Sequence, residues 1–220
     1  MKIRDMFSEP DLQRIKDAVA KAEHNISGEI VPVMVERSGR YTSANYKGAI
    51  LCASLAFVAM IVLDRYVFSN ASNALFYDPV FLFFIVAAAG LAGGVITSYS
   101  DPLKRLLAGR TNLDSTARLR AENAFLEEEV FNTRERTGIM IFISFFEHEV
   151  IVMADKGISK VVDQSRWDEV VSDLIIHIRQ QKVVDGLEKA IVRCGAILLE
   201  KGFKKSENDT NELRDDLRLQ

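Results

Sequence analysis

The stretch GIMIFISFFEHEVIVMADKGI, Gly138 to Ile158, decides how this chain is read. Two apolar runs, Ile139–Phe145 and Val150–Ala154, flank a polar step at Glu147-His148-Glu149. Short runs rich in β-branched residues and joined by a few residues predict two strands of a β-hairpin. The competing reading is a metal or acid–base site. Successive residues of a strand point to opposite faces, so Glu147 and Glu149 share a side that His148 leaves. One histidine between two carboxylates also matches no zinc spacing. The three residues are expected to form a solvated hairpin tip.

Downstream, QSRWDEVVSDLIIHIRQQ places Trp167, Val170, Val171, Leu174 and Ile178 on one helical face. A second helix carries Leu187, Ala190, Ile191, Cys194, Ile197 and Leu198 on one face and ends near Gly202. Residues 204–220 are expected to be a flexible polar tail. Upstream, DSTARLRAENAFLEEEVFNTRERTG reads as one helix with Ala121, Ala124, Phe125 and Phe131 as its stripe, broken by Gly138.

At the start, Ser8 with Asp11 three residues on predicts a capping box, followed by a helix with Leu12, Ile15, Val19 and Ala22 on one face. Glu29–Glu36 then reads as a strand apolar on both faces, with Pro32 favouring an edge or a bulge.

Between these parts lie two uncharged runs, Gly48–Leu63 and Pro79–Ser100. A bilayer-crossing helix needs roughly 17–25 apolar residues. A transmembrane hairpin is therefore expected over 45–100, with spans at about 46–68 and 79–100. Ala88, Gly90, Ala92, Gly93 and Gly94 would let its helices approach closely. Arg37, Arg40 and Lys47 precede the first span, Lys104, Arg105 and Arg110 follow the second, and only Arg65 lies between. The positive-inside rule then puts both termini and the domain in the cytoplasm, at the inner membrane, with the loop Asp64–Asp78 outside. The absence of an apolar signal-length core at the start and two isolated cysteines, Cys52 and Cys194, agree with that. A net charge of −3 gives no pull toward nucleic acid.

The order helix, strand, hairpin, helix, strand, strand, helix, helix predicts a single α/β domain, 1–44 with 101–203, interrupted by the membrane hairpin. AEHNISGEIVPVMVE, RTGIMIFISFFEHEVIVMADKGISKVVDQSRW and VVDGLEKAIVRCGAILLEKG resemble the TPM domain family, which includes thylakoid lumen proteins of the photosystem II repair type and many bacterial membrane proteins. NELRDDLRL resembles the acidic tail of a membrane-bound bacterial branch. The resemblance implies an αβα sandwich with a short mixed sheet. It also implies one of three activities: weak acid phosphatase, calcium-binding structural module, or auxiliary subunit of membrane complexes. The chain departs from the family pattern at Glu147-His148, where an Asp-Arg-like pair is common, and at ADKGI, where a glycine-rich stretch is common.

No nucleophile elbow, P-loop or HExxH is present, and His24 and His177 read as helix-end or solvated residues. Carboxylates at strand ends are the better candidates. Glu29, Asp155 and Asp163 could hold Ca²⁺ or Mg²⁺, although Asp163 could equally cap a helix and Asp155 close a turn. The sequence therefore points to a non-enzymatic module bound to the lipid bilayer, acting on a membrane-protein partner or on its own copies. A weak metal-dependent phosphatase and a calcium-binding structural domain are the alternatives.

Overall fold

The computed structural model describes residues 3–66, 78–205 and 211–220. The end of the first expected span and most of the loop after it, residues 67–77, lie outside the described residues. The chain divides into two compact units: Met1–Ser38 with Ser115–Gln220, and Gly39–Asp114. The inserted unit thus takes in residues 39–44 and 101–114 as well as the expected 45–100.

In the first unit, helix α1 spans Glu9–Glu23. Ser8 caps it, and Asp11 returns the bond to the Ser8 N–H at 3.0 Å, completing the capping box. Strand β1, Glu29–Val35, follows, fully buried. After the insertion come β2, Gly138–Ser144, and β3, Glu149–Ala154. Helices α6 (Lys156–Ser159), α7 (Gln164–Arg179) and α8 (Val183–Glu200) complete the layer over the sheet. Strand order is β3-β2-β1-β4, where β4 is Arg218–Leu219. β1 runs parallel to β2 and β4, and β2 runs antiparallel to β3.

Alternation along the strands divides the core into two layers. Ile30, Met34, Ile139, Ile141, Ile143, Val150 and Val152 face Ile15, Val19, Trp167, Leu174, Leu187 and Ile191 of the helices. Val31, Val33, Val35, Met140 and Phe142 face Ala121, Ala124 and Val130 on the other side. This is the expected αβα sandwich with a mixed sheet.

Two elements differ from expectation. The helix before β2 ends at Glu127, well short of Gly138. Glu129 adopts φ 53, and the Val130 N–H bonds back to the Phe125 carbonyl at 3.1 Å, closing the helix. Gly138 is needed beyond that turn, because a Cβ there would overlap the Val130 carbonyl oxygen. The tail also differs: residues 211–220 lie along β1 instead of trailing in solvent. Glu36 N–H donates to the Gln220 carbonyl at 3.3 Å, and Gln220 N–H to the Met34 carbonyl at 3.0 Å.

Pro32 explains why β4 is short. Odd-numbered residues of β1 donate toward β2, as Glu29 N–H does to the Thr137 carbonyl. Even-numbered residues face the β4 side, where Pro32 has no N–H to offer, and β4 pairs only from Val33 upward. The proline lies in an inner strand, with its missing donor turned to the closing edge.

In the second unit, α2 (Thr42–Tyr66) and α3 (Pro79–Tyr99) are each long and apolar enough to cross a membrane. Helix α4, Asp101–Ala108, and the start of α5, Arg110–Glu127, follow. Most large side chains of α2 and α3 are exposed, among them Leu55, Phe83, Phe84 and Leu91. The buried exceptions are Ala44 and Gly48 on α2 and Gly90, Gly93 and Thr97 on α3. A Cβ on Gly93 would sit 2.5 Å from Cys52 Cβ and 2.6 Å from the Gly48 carbonyl oxygen. Backbone cannot give way there, so Gly93→Leu should separate the helices. A disulfide engineered between facing positions of α2 and α3 should form in the parent and be lost in this variant; persistent cross-linking would contradict the packing.

Candidate functional site

Polar side chains gather at three places in the first unit. The first is the amino end of the parallel strands. Glu29 opens β1, and Asp155 ends β3, whose antiparallel run returns it to that same end. Ligand crevices of parallel sheets lie at the opposite, carboxyl ends of the strands. Asp155 is buried. It pairs with Arg136 (Nε to Oδ2, 2.7 Å), and its Oδ1 accepts from the Lys156 N–H at 2.7 Å, capping α6. Asp163 lies at the N-cap of α7 and makes no side-chain capping bond. No group of three or more His, Cys, Asp or Glu that could hold a metal ion occurs among the described residues.

The Glu29 carboxylate receives the backbone N–H groups of Glu212 (3.1 Å) and Leu213 (3.3 Å), so it anchors the C-terminal strap. Burial pushes its pKa up, against the pull of those two donors. Glu23 is close to it electrostatically and is nearly enclosed, with 7% of its surface exposed. One oxygen accepts from the Ile30 N–H at 2.7 Å; the other has no hydrogen-bond partner among the described residues. Burial is the main cause that raises its pKa to about 8, with Glu29 and Asp215 adding repulsion. Sequence reading missed Glu23, yet it sits four residues after Val19 and eight after Ile15, in line with the buried stripe. A carboxylate on that row is a signal.

The second place is the β2–β3 turn. Glu147, expected at a solvated tip, is 1% exposed. It accepts from the Ser38 N–H at 2.9 Å and from the Ser144 hydroxyl, and Ser38 and Ser144 hydroxyls lie 2.9 Å apart. The Arg37 guanidinium stacks 4.0 Å from the Phe146 ring centroid. His148 takes the left-handed φ of 58 that reverses the chain. A polar residue in a turn reads as solvated; here the exit of β1 covers it. The turn therefore grips the last residues before the insertion.

The third place is a cavity of about 590 Å³ at the carboxyl end of β2, lined by Phe7, Phe145, Ile178, Lys182 and Val183 among others. Nearby, His177 Nδ1 meets the Asp173 carbonyl at 2.8 Å, which must accept. Nε2 is then an acceptor for the Lys189 ammonium at 2.9 Å. His177 is thus committed to helix packing, with no carboxylate orienting it.

Residues 106–197 match the family model of the TPM domain. Residues 106–197 carry a TPM domain. The solved NMR structure of the BA42 protein from Bizionia argentinensis shares the fold, with a TM-score of 0.60 and 18% identity over 100% of this chain and 99% of that one. No curated protein sequence matches significantly. In the first unit, Glu29, Asp155 and Glu147 each hold chain segments in place: the strap, the loop before β2 and the exit of β1.

Proposed function

We propose that this chain is a membrane-anchored TPM domain serving as a non-enzymatic accessory module for membrane-protein complexes. Its helical hairpin would lie in the inner membrane, with both termini and the domain in the cytoplasm. One observation carries the reading. Two of the three candidate carboxylates, Glu29 and Asp155, are committed to backbone N–H groups or to Arg136, while the hairpin keeps long apolar faces bare. Side chains such as Leu55, Phe83 and Leu91 need lipid or protein against them.

Cross-linking and co-purification from native membranes should recover a defined membrane-protein partner or further copies of the chain. Recovery of neither would sink the reading. Topology is tested separately: a reporter fused after Gln220 should be active only in its cytoplasmic version, and the reverse result would invert the orientation.

The family resemblance favours a second reading, a weak metal-dependent phosphatase using Glu29, Asp155 or Asp163. On the leading reading, purified protein should turn over no phosphoester above background with Ca²⁺ or Mg²⁺, and calorimetry should detect neither ion. Enzyme-like turnover that disappears in Asp155→Ala or Asp163→Ala would establish the second reading instead.

A further inference from the structure

The sheet has two ends, and the chain treats them differently. On the β4 side, the outward positions of β1 are taken up. The Ile30 N–H goes to the Glu23 carboxylate, Pro32 offers no N–H, and the strap closes the rest through Met34 and Glu36. At the other end, β3 is the terminal strand. Its odd-numbered residues bond to β2, as the Asp155 N–H does to the Gly138 carbonyl at 2.9 Å. The backbone groups of Val150, Val152 and Ala154 therefore point away from the sheet. Five consecutive apolar residues, Val150 to Ala154, form this edge. It has none of the lysines, prolines or bulges that usually protect an edge strand from pairing.

We propose that β3 is a pairing edge for a second copy of this chain, joining two four-stranded sheets antiparallel into one. This rests on the interaction-module reading and names its partner. A strand that continues both core layers must be apolar on both faces, because Val150 and Val152 face one layer and Ile151 and Met153 pack against the other. The same strand in a second copy meets that requirement. Charge selects the register. If Val152 faced its own counterpart, Glu149 would oppose Asp155. Centring the pair on Ile151 puts Val150 opposite Val152 and Glu149 opposite Met153; Glu147, which then comes level with Asp155, lies in the turn before β3 with its carboxylate bound to Ser38 and Ser144. Tethering both copies in one membrane would raise their effective concentration.

The test uses the full chain carrying Cys52→Ser in native membranes. Under mild oxidation, Ile151→Cys should cross-link to a dimer roughly tenfold faster than Val161→Cys, which is exposed but off the edge. In detergent the parent should have the mass of two chains. Val152→Pro, which removes an outward N–H, should have the mass of one while keeping its helical circular dichroism. A one-chain parent, equal cross-linking at both positions, or a folded Val152→Pro variant that stays dimeric would overturn the proposal. If Val152→Pro does not fold, the cysteine comparison and the parent mass decide. A one-chain parent that still co-purifies with another membrane protein would overturn the strand pairing alone and leave the module reading standing.

Discussion

Raising the pH from about 5 to about 9 should lower the first thermal transition of the detergent-solubilised chain by roughly 10 °C, and Glu23→Gln should remove most of that fall. Glu23 is held between the end of α1 and the start of β1, and burial raises its pKa from 4.5 to about 8. Below 4.5 the carboxyl is protonated whether the chain is folded or not, so its full contribution is present. Between 4.5 and 8 the unfolded chain releases the proton and the folded chain keeps it, so stability falls with rising pH. Above 8 both forms are ionised and the loss is complete. The shift corresponds to roughly 5 kcal/mol, of which about 4 is lost between pH 5 and 9. Glutamine keeps an oxygen for the Ile30 N–H and never ionises, so the variant should be more stable than the parent at high pH. Glu29, whose pKa is also raised, would leave a smaller residual slope. A flat parent profile, or an unchanged slope in Glu23→Gln, would mean that this carboxylate is hydrated.

Arg218→Ala should cost about 3 kcal/mol, which is large for a residue two positions before Gln220. Arg218 is 8% exposed, and its Nε donates to Glu128 at 2.9 Å, itself largely buried. Its guanidinium also donates to the carbonyls of Arg214, at 2.7 Å, and Asp216. Removing it strands the Glu128 carboxylate and frees the strap, so the Glu29 carboxylate would lose two N–H donors as well. Denaturant unfolding of the parent and the variant checks this. A difference below about 0.5 kcal/mol, the usual range for surface substitutions, would mean the last ten residues are ornamental.

Periodicity made much of this fold readable. The apolar runs Ile139–Phe145 and Val150–Ala154 and the stripes of α7 and α8 come from packing, which writes itself into the order of residues. The close approach of the hairpin helices was readable too, because only small residues permit it, and Gly90, Gly93 and Gly94 stand in a row. The strap was not readable. Its attachment is made by backbone N–H groups and one arginine, and the composition of residues 211–220 is that of a solvated segment. Glu147 was hidden for a related reason: its burial depends on Ser38, 109 positions earlier, and no local pattern records such a partner. The metal candidates were chosen for lying at strand ends, but the directions of the strands put Glu29 and Asp155 at the amino end of the parallel pair, where parallel sheets seldom bind ligands.

The register of β1 has a consequence for how the chain is made. Glu29 pairs with Gly138, and the strap's Leu219 with Met34. A ribosome therefore releases the seven residues Glu29–Val35, six of them apolar, long before either neighbouring strand exists. In the interval, the hairpin must be synthesised and settled in its own surroundings. Until then β1 is an unpaired strand seeking any edge, so a cell in which this hairpin is slow to settle would accumulate a chain that aggregates through its first forty residues.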